Sequence, residues 1–160
     1  MEPVKIFIDT NIVLDYFTGR MGDGQAKTIV QIGQDPKFAL CISILTAINV
    51  LYLARKFAPS LQPADLAKLF HILPQDYQQY CDAQTLNLSD FEDALQVSCA
   101  LRSGCLMAIS RDHHFQAAPI VAFTPDEFIN AVVQGMWYHL RTVIVRHSMD
   151  FLLMPLESGT

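Results

Sequence analysis

Near its start the sequence reads Val4-Lys5-Ile6-Phe7-Ile8-Asp9-Thr10-Asn11-Ile12-Val13-Leu14-Asp15. The β-branched and aromatic residues at the start of this run predict a short buried strand that ends on the carboxylate of Asp9. Thr10 and Asn11 offer capping oxygens for a helix that follows. Ligands of open α/β sheets bind outside the carboxyl ends of the strands, and carboxylate oxygens suit Mg²⁺ and Mn²⁺. Asp9 is therefore a candidate cation ligand, and a helix cap is its alternative role.

The composition of the chain bounds the class of protein. With 160 residues, 51% of them hydrophobic and 17% charged, it fits one domain with a full core. The formal net charge of −5 argues against a broad electrostatic surface for nucleic acid, but bound cations offset acidic ligands, so a nuclease stays open. The four cysteines form no close pair, and we expect them to be reduced core thiols.

The sequence predicts a soluble, cytoplasmic protein with no membrane partner. We see no signal peptide, because the first residues lead directly into the first strand without a basic start. The uncharged segment from Phe38 to Ala54 is interrupted by polar residues and falls short of the ~20 apolar residues of a membrane span. We divide this segment into a strand and a helix at Ser43.

Strand and helix patterns alternate along the rest of the chain. Because helical stretches separate the strands, the sequence predicts an α/β fold of three layers, α/β/α, around a mostly parallel sheet. The predicted strands are Val4 to Ile8, Phe38 to Ile42, His71 to Leu73, Cys105 to Ile109 and Ile120 to Ala122.

Two of the predicted helices carry detailed expectations. Ser43 is expected to cap a helix that runs to about Phe57. Ser89 with Glu92 matches a capping box for a helix that runs to about Arg102. The first of these helices is expected to bury a stripe at helical spacing, formed by Leu45, Ile48, Leu51 and Tyr52.

Three acids are placed to meet at one edge of such a sheet. Asp9 follows the first strand, Asp93 lies in the first turn of a capped helix, and Asp112 follows a later strand. Strand ends and the starts of the following helices share one edge of a parallel sheet. Clustered carboxylates repel one another, and a divalent cation relieves that repulsion and suits phosphodiester hydrolysis.

Each of these residues also has a structural interpretation. Asp93 is favourable near a helix N-terminus through the dipole alone. Asp112 is able to pair with Arg111 or to turn its loop. Asp15 is either a solvated residue of the first helix or part of the site. The adjacent histidines at 113 and 114 invite a zinc interpretation, but no cysteine or other histidine stands at finger-like spacing, which argues against it.

Three motifs together resemble a known family. They are Ile-Asp-Thr-Asn-Ile-Val-Leu-Asp at 8 to 15, Ser-Asp-Phe-Glu-Asp-Ala-Leu-Gln at 89 to 96, and Ile-Ser-Arg-Asp-His-His-Phe at 109 to 115. In this order the chain is similar to the PIN domain, the nuclease fold of VapC-type toxins, over about residues 4 to 134. The resemblance implies Asp9, Asp93 and Asp112 as metal ligands, Mg²⁺ or Mn²⁺ as cofactor and RNA as substrate. It implies Asn11 and Ser110 as supporting polar residues.

The chain departs from the family pattern at one position. PIN nucleases usually carry a glutamate on the helix after the second strand, and Asn49 stands there. An amide brings no charge and cannot act as a base, so its expected role is to orient a water or a neighbouring group.

The expected domains are a PIN-like nuclease domain at 1–134 and an apolar extension at 135–160. Large exposed apolar patches are unusual on monomers, so we expect the part at 137–155 to pack on the domain or form a dimer contact.

The interpretation that follows is a Mg²⁺- or Mn²⁺-dependent endoribonuclease, the toxin of a toxin–antitoxin pair. Its catalytic residues would be Asp9, Asn49, Asp93 and Asp112, and its partners RNA, an antitoxin protein and, through the extension, a second copy of the chain. The alternative is a PIN domain that has lost catalysis and serves as an RNA- or protein-binding regulatory module. Asn49 and the acidic balance favour this alternative, and the three retained acids favour the enzyme.

Overall fold

The structure, a computed structural model, describes residues 2–139, 141, 142, 144 and 145. Its elements alternate in the order expected of an α/β fold, and short 3₁₀ turns occupy Ala54–Lys56 and His113–Ala117. The strands are β1 (Val4–Ile8), β2 (Phe38–Ser43), β3 (His71–Leu73), β4 (Met107–Ile109) and β5 (Ala122–Phe123). The helices are α1 (Thr10–Thr18), α2 (Asp23–Ile32), α3 (Ile44–Leu53), α4 (Pro63–Leu69), α5 (Tyr77–Thr85), α6 (Phe91–Arg102) and α7 (Pro125–Val133).

The strands form one sheet in the order β3-β2-β1-β4-β5. Each neighbouring pair is parallel, with Ile6 opposite Leu40 of β2 and Met107 of β4, so the predicted parallel sheet is confirmed. The chain moves from β1 to β2 on one side and returns to β4 on the other. This reversal at β1 opens a crevice at the carboxyl ends of β1 and β4, where ligands of such sheets bind.

Helices cover both faces of the sheet and make the three-layer arrangement that was predicted. Ile6 and Ile8 of β1 join a core cluster that includes Ile29 of α2, whereas Phe7 joins a second cluster with Val97 of α6. All three of these β1 side chains are buried. A strand covered on both faces reads as a continuous apolar run, which explains why β1 was readable in the sequence.

The predicted buried stripe of α3 is wrong at Ile48 and Tyr52, whereas Leu51 is half-buried and packs against the core. The helix ends at Leu53, and it buries Thr46, Ala47 and Val50, whereas Ile48 and Tyr52 are 58% and 65% exposed. Small side chains let α3 approach the layer beneath it, so its larger apolar residues point outward. Helical spacing alone did not distinguish the two faces, because residues on both are apolar.

The start of α6 also differs from the expectation by one residue. Asp90, not Ser89, is the N-cap, and its carboxylate accepts hydrogen bonds from the amides of Glu92 at 2.8 Å and Asp93 at 3.3 Å. The helix therefore begins at Phe91, and Asp93 is its third residue. The Glu92 side chain therefore does not cap α6 and instead contacts Asn49 of α3.

The described part of the C-terminal extension contacts the core. Trp137 is 6% exposed and packs edge-on against Phe38 and Phe128, with ring centroids 4.7 and 6.3 Å away. Ile144 is also buried. Residues 146–155 lie outside the described residues, so the role expected for the segment 137–155, and the domain boundary at 134, stay predictions. In the described part of the chain, no helix has the length and apolarity needed to cross a membrane.

Candidate active site

Asp9 sits where β1 ends and α1 begins. It is 5% exposed, and its Oδ2 accepts a hydrogen bond from Ser110 Oγ at 2.8 Å. It is the N-cap residue of α1 by position, as the alternative role required, but its side chain makes no capping hydrogen bond there. Burial raises the pKa of Asp9, and the charge of Asp112 adds to this, although the Ser110 hydroxyl and the amides of Thr10 and Asn11 oppose the shift.

Ser110 and Asp112 follow β4 and face Asp9. The Ser110 hydroxyl accepts a hydrogen bond from the backbone amide of Asp112 at 2.9 Å while it donates to Asp9, so one side chain fixes both acids. Asp112 Oδ1 in turn accepts from the amide of His114 at 2.9 Å and caps the 3₁₀ turn. Ser110 thus contacts both acids, which agrees with the position that the family resemblance implied for it.

Asp93 completes the group of three acids from the first turn of α6. Its pKa is raised to about 6, first by burial and then by the charges of Asp90, Asp112 and Asp9, while His114 opposes the shift. All three acids line one cleft, and His114 Nδ1 lies 3.7 Å from Asp93 Oδ2 and 3.1 Å from Asp112 Oδ1. The structure therefore brings Asp9, Asp93 and Asp112 together, as the strand-end argument predicted.

Arg111 pairs with Asp15 rather than with Asp112, which rules out one alternative role of Asp112. Asp15 is 2% exposed, and it accepts from the Arg111 guanidinium and lies 3.5 Å from Nε of Arg20. Gly22 covers the pair so closely that a Cβ there would collide with both side chains. Asp15 is neither a solvated residue nor part of the acidic group; it ties the Ser110–Asp112 loop to α1.

Asn49 lines the same cleft and donates a hydrogen bond to the carboxylate of Glu92, a residue whose position in the sequence matches a capping box. Its Nδ2 donates to Glu92 Oε1 at 2.8 Å, and Gln96 Nε2 approaches the same oxygen at 3.4 Å. Glu92 is therefore a candidate site residue that was missed. Its position two residues after the true N-cap was the available signal, but the capping-box spacing favoured the other assignment.

Beneath the cleft, a buried polar network joins three helices. Thr46 Oγ1 lies 3.0 Å from Thr10 Oγ1 and donates to Gln96 Oε1 at 3.2 Å, and Ser43 Oγ donates to Thr46 Oγ1 at 3.2 Å. Gln96, 2% exposed, was not recognised in the sequence, although it follows Asp93 by one helical turn. Such a satisfied network fixes α1, α3 and α6 relative to one another and so fixes the acids that they carry.

The acids line an open cleft of about 420 Å³. Among the described residues that line it there are five carboxylates and no lysine or arginine, so carboxylate oxygens dominate the donor set. A hard divalent cation fits such a set. A larger cavity, about 690 Å³ beside Leu101 and Pro119, holds one carboxylate, Glu127, and lacks this chemistry. The cleft is lined by Asp9, Thr10, Asn11, Leu14, Asn49, Tyr52, Leu53, Asp90, Glu92, Asp93, Gln96, Asp112 and His114.

The raised pKa of Asp93 predicts that metal-free protein loses stability as the pH rises. The folded state holds the proton of Asp93 more tightly than the unfolded state does. The stability that this proton contributes is complete below the unfolded pKa of 3.8 and is lost as the pH rises through the folded pKa of about 6. It is worth at most about 3 kcal/mol, and solvent screening reduces it. In urea unfolding with EDTA, Asp93→Asn should diminish this fall, and the exposed control Asp126→Asn should not. An unchanged fall in Asp93→Asn would contradict the prediction.

The fold and the acidic cleft define a class of protein, and comparison with known families agrees. The family model of the PIN domain matches residues 5–114, and the chain belongs to the PIN domain family. Ribonuclease VapC1 of Aquifex aeolicus (strain VF5) is 28% identical over 137 residues, covering 80% of this chain and 95% of that protein.

Solved structures from a toxin–antitoxin complex and of a toxin share the architecture. A toxin–antitoxin complex from Klebsiella pneumoniae contains a chain that is 25% identical, with a TM-score of 0.58 over 75% of this chain and 97% of that one. VapC20 of Mycobacterium tuberculosis, a sarcin–ricin loop cleaving toxin, is 17% identical, with a TM-score of 0.56 over 72% of this chain and 96% of that one. The second likeness concerns the fold alone.

Proposed function

We propose that this protein is a metal-dependent endoribonuclease of the VapC type that hydrolyses RNA phosphodiester bonds with Mg²⁺ or Mn²⁺. The observation that carries the proposal is the convergence of Asp9, Asp93 and Asp112 in one open cleft of a PIN domain. The similarity to Ribonuclease VapC1 supports the reaction. The free cysteines of the chain agree with the reducing cytoplasm as its location.

Each residue of the cleft then has a defined task. Asp9, Asp93 and Asp112 would hold the cation, which when bound supplies Lewis acidity that offsets the negative charge on the phosphate. Through its two hydrogen bonds, Ser110 fixes the position of the Asp9 carboxylate relative to the backbone of Asp112. Asn49 holds Glu92 at the edge of the cleft, where that carboxylate is able to orient a water or a ribose hydroxyl.

The rim of the cleft offers contacts for a single strand of RNA. Tyr52 lines the cleft and is 65% exposed, and the Arg55 guanidinium lies 5.3 Å from the centre of its ring. Exposed aromatic rings stack on unpaired bases, and arginine binds phosphate. This pair supplies local affinity for RNA on a chain whose net charge is −5.

The biological role we propose is that of the toxin in a toxin–antitoxin pair. The support is the similarity to the chain from the Klebsiella pneumoniae toxin–antitoxin complex. An antitoxin protein is then the expected partner. A short neighbouring reading frame that encodes a DNA-binding protein would support this role, and its absence from related loci would argue against it.

A second function is favoured by one observation. Asn49 replaces the usual glutamate and donates to Glu92 instead of offering a charge of its own. A PIN domain with fewer metal-binding charges is able to persist as an RNA- or protein-binding regulatory module. This alternative predicts binding without cleavage.

An RNA cleavage assay separates the two functions. Purified protein should cleave a pool of cellular RNA only with a divalent ion, and EDTA should stop the reaction until Mn²⁺ or Mg²⁺ is restored. Asp112→Asn should reduce cleavage about tenfold or more, because a metal-binding charge is lost. The exposed control Asp126→Asn should cleave like wild type. Metal binding without cleavage of any RNA supports the regulatory module, and cleavage that survives EDTA would overturn the proposal.

A further inference from the structure

Two adjacent histidines lie against the acids at one corner of the cleft. His114 Nδ1 is 3.1 Å from Asp112 Oδ1 and 3.7 Å from Asp93 Oδ2. His113 Nδ1 is 3.7 Å from the same oxygen of Asp112, and the two imidazole rings are 4.3 Å apart. The ligand atoms of Asp112, His113 and His114 all lie within 4.8 Å of one another.

These spacings are those of a coordination sphere. With bonds of about 2.0 to 2.2 Å to nitrogen and oxygen, neighbouring ligand atoms around a tetrahedral metal ion lie roughly 3 to 4 Å apart. The distances from His114 Nδ1 to the two carboxylate oxygens fall in this range. One ion is therefore able to contact Asp112, His113 and His114, whereas Asp93 lies outside this group of ligand atoms.

The turn that carries the histidines does not depend on their rings. The capping contact of Asp112 Oδ1 is to the backbone amide of His114 at 2.9 Å, which any residue at 114 supplies. The His113 side chain is 83% exposed, and that of His114 is 41% exposed and lines the cleft. Both imidazoles are accessible to an ion from solvent.

We propose that His114, assisted by His113, binds a transition metal ion together with Asp112. Imidazole suits borderline ions such as Zn²⁺ and Co²⁺, whereas Mg²⁺ prefers oxygen ligands. This corner of the cleft thus favours Zn²⁺ or Co²⁺ over Mg²⁺, unlike the group of carboxylates beside it. The inference deepens the proposed function and rests on its metal site, since Asp112 belongs to both.

Direct metal titration tests this site without reference to cleavage. Calorimetry with Zn²⁺ and with Mg²⁺ should be run on wild type and His114→Ala at a pH at which imidazole is neutral. Loss of the nitrogen ligand should weaken Zn²⁺ binding about tenfold or more and change Mg²⁺ binding by less than about twofold. The visible spectrum of bound Co²⁺ should change as well.

Two further variants complete the experiment. His113→Ala should weaken Zn²⁺ binding less than His114→Ala, because His113 approaches one oxygen only, at 3.7 Å. The control His71→Ala alters an exposed histidine on β3 and should bind like wild type. Equal melting temperatures in the absence of metal should establish that all variants are folded.

The outcomes for the two proposals are distinct. Equal Zn²⁺ affinity in wild type and His114→Ala would overturn the histidine site. Equal losses for Zn²⁺ and Mg²⁺ would also overturn it, because His114 would then only position Asp112. Zinc binding through His114 with no RNA cleavage under any metal would retain this inference and fail the proposed function. Magnesium-dependent cleavage by a protein that shows no preference for Zn²⁺ would support the proposed function and overturn the histidine site.

Discussion

Replacing Asp9 by asparagine is expected to lower RNA cleavage by more than about 100-fold, beyond the loss that removal of a supporting group around a metal causes. The amide keeps the size of the side chain and still accepts the hydrogen bond that Ser110 donates, so the variant removes mainly charge. Asp9 is the most buried of the three acids and lies at the centre of the sheet edge. We therefore expect its loss to affect metal binding more than the loss of Asp112.

Melting curves measure the same change without substrate. A ligand at 100 times its Kd stabilises the folded state by about 2.7 kcal/mol. A gain of that size raises the melting temperature of a domain of this length by roughly 5 to 10 °C. Wild type should show this gain with Mn²⁺, and Asp9→Asn should show little of it. Without metal, Asp9→Asn should melt higher than wild type, because burial and the charge of Asp112 raise the pKa of Asp9.

The controls distinguish a site elsewhere from a contaminating nuclease. Asp126→Asn removes an exposed aspartate of α7 and should keep both the Mn²⁺ gain and the cleavage. Cleavage by Asp9→Asn at the wild-type rate would mean that another protein or another site cleaves RNA. An unchanged Mn²⁺ gain in Asp9→Asn would remove Asp9 from the ligand set.

Replacing Arg111 by methionine should destabilise the protein by about 2 to 4 kcal/mol. Breaking a buried ion pair from one side costs about 3 to 5 kcal/mol, because the remaining charge stays buried without its partner. Asp15 is 2% exposed and would keep only Arg20, 3.5 Å away, so the expected loss is somewhat smaller. Methionine retains the length and much of the apolar contact of the arginine stem. Urea unfolding at neutral pH measures the effect.

A double variant identifies the cause of this loss. If an unpaired Asp15 is responsible, then Asp15→Asn combined with Arg111→Met should recover part of the stability that Arg111→Met loses. The double variant should nevertheless cleave RNA more slowly, since the loop that carries Ser110 and Asp112 is no longer tied to α1. Arg111→Met with wild-type stability would show that the pair contributes nothing measurable.

The part of the site that was predictable follows from backbone topology. Asp9 and Asp112 follow buried strands and Asp93 begins a helix, so a parallel sheet brings them to one edge whatever their side chains contact. The apolar run of β1 and the helical stretches between strands were sufficient to predict that sheet. The PIN resemblance rested on the same three motifs, and the family match over 5–114 confirms it.

The part that was not predictable depends on side-chain partners from distant segments. Arg111 was open to pairing with its neighbour Asp112, and only the packing of Gly22 against α1 and the loop directs it to Asp15. Glu92 met a capping pattern in the sequence, but the structure caps α6 with Asp90 and leaves Glu92 to Asn49. The exposed face of α3 was misjudged because apolar residues lie on both sides of that helix.

The pairing of β1 with β4 also determines when in its synthesis this chain acquires a site. Asp9 and the Ser110 that holds it are 101 positions apart, so the first acid leaves the ribosome long before its partners. At about 5 to 20 residues per second, several seconds separate the two. A nascent chain that ends before β4 lacks both Ser110 and Asp112. We therefore expect translation fragments that end before β4 not to cleave RNA.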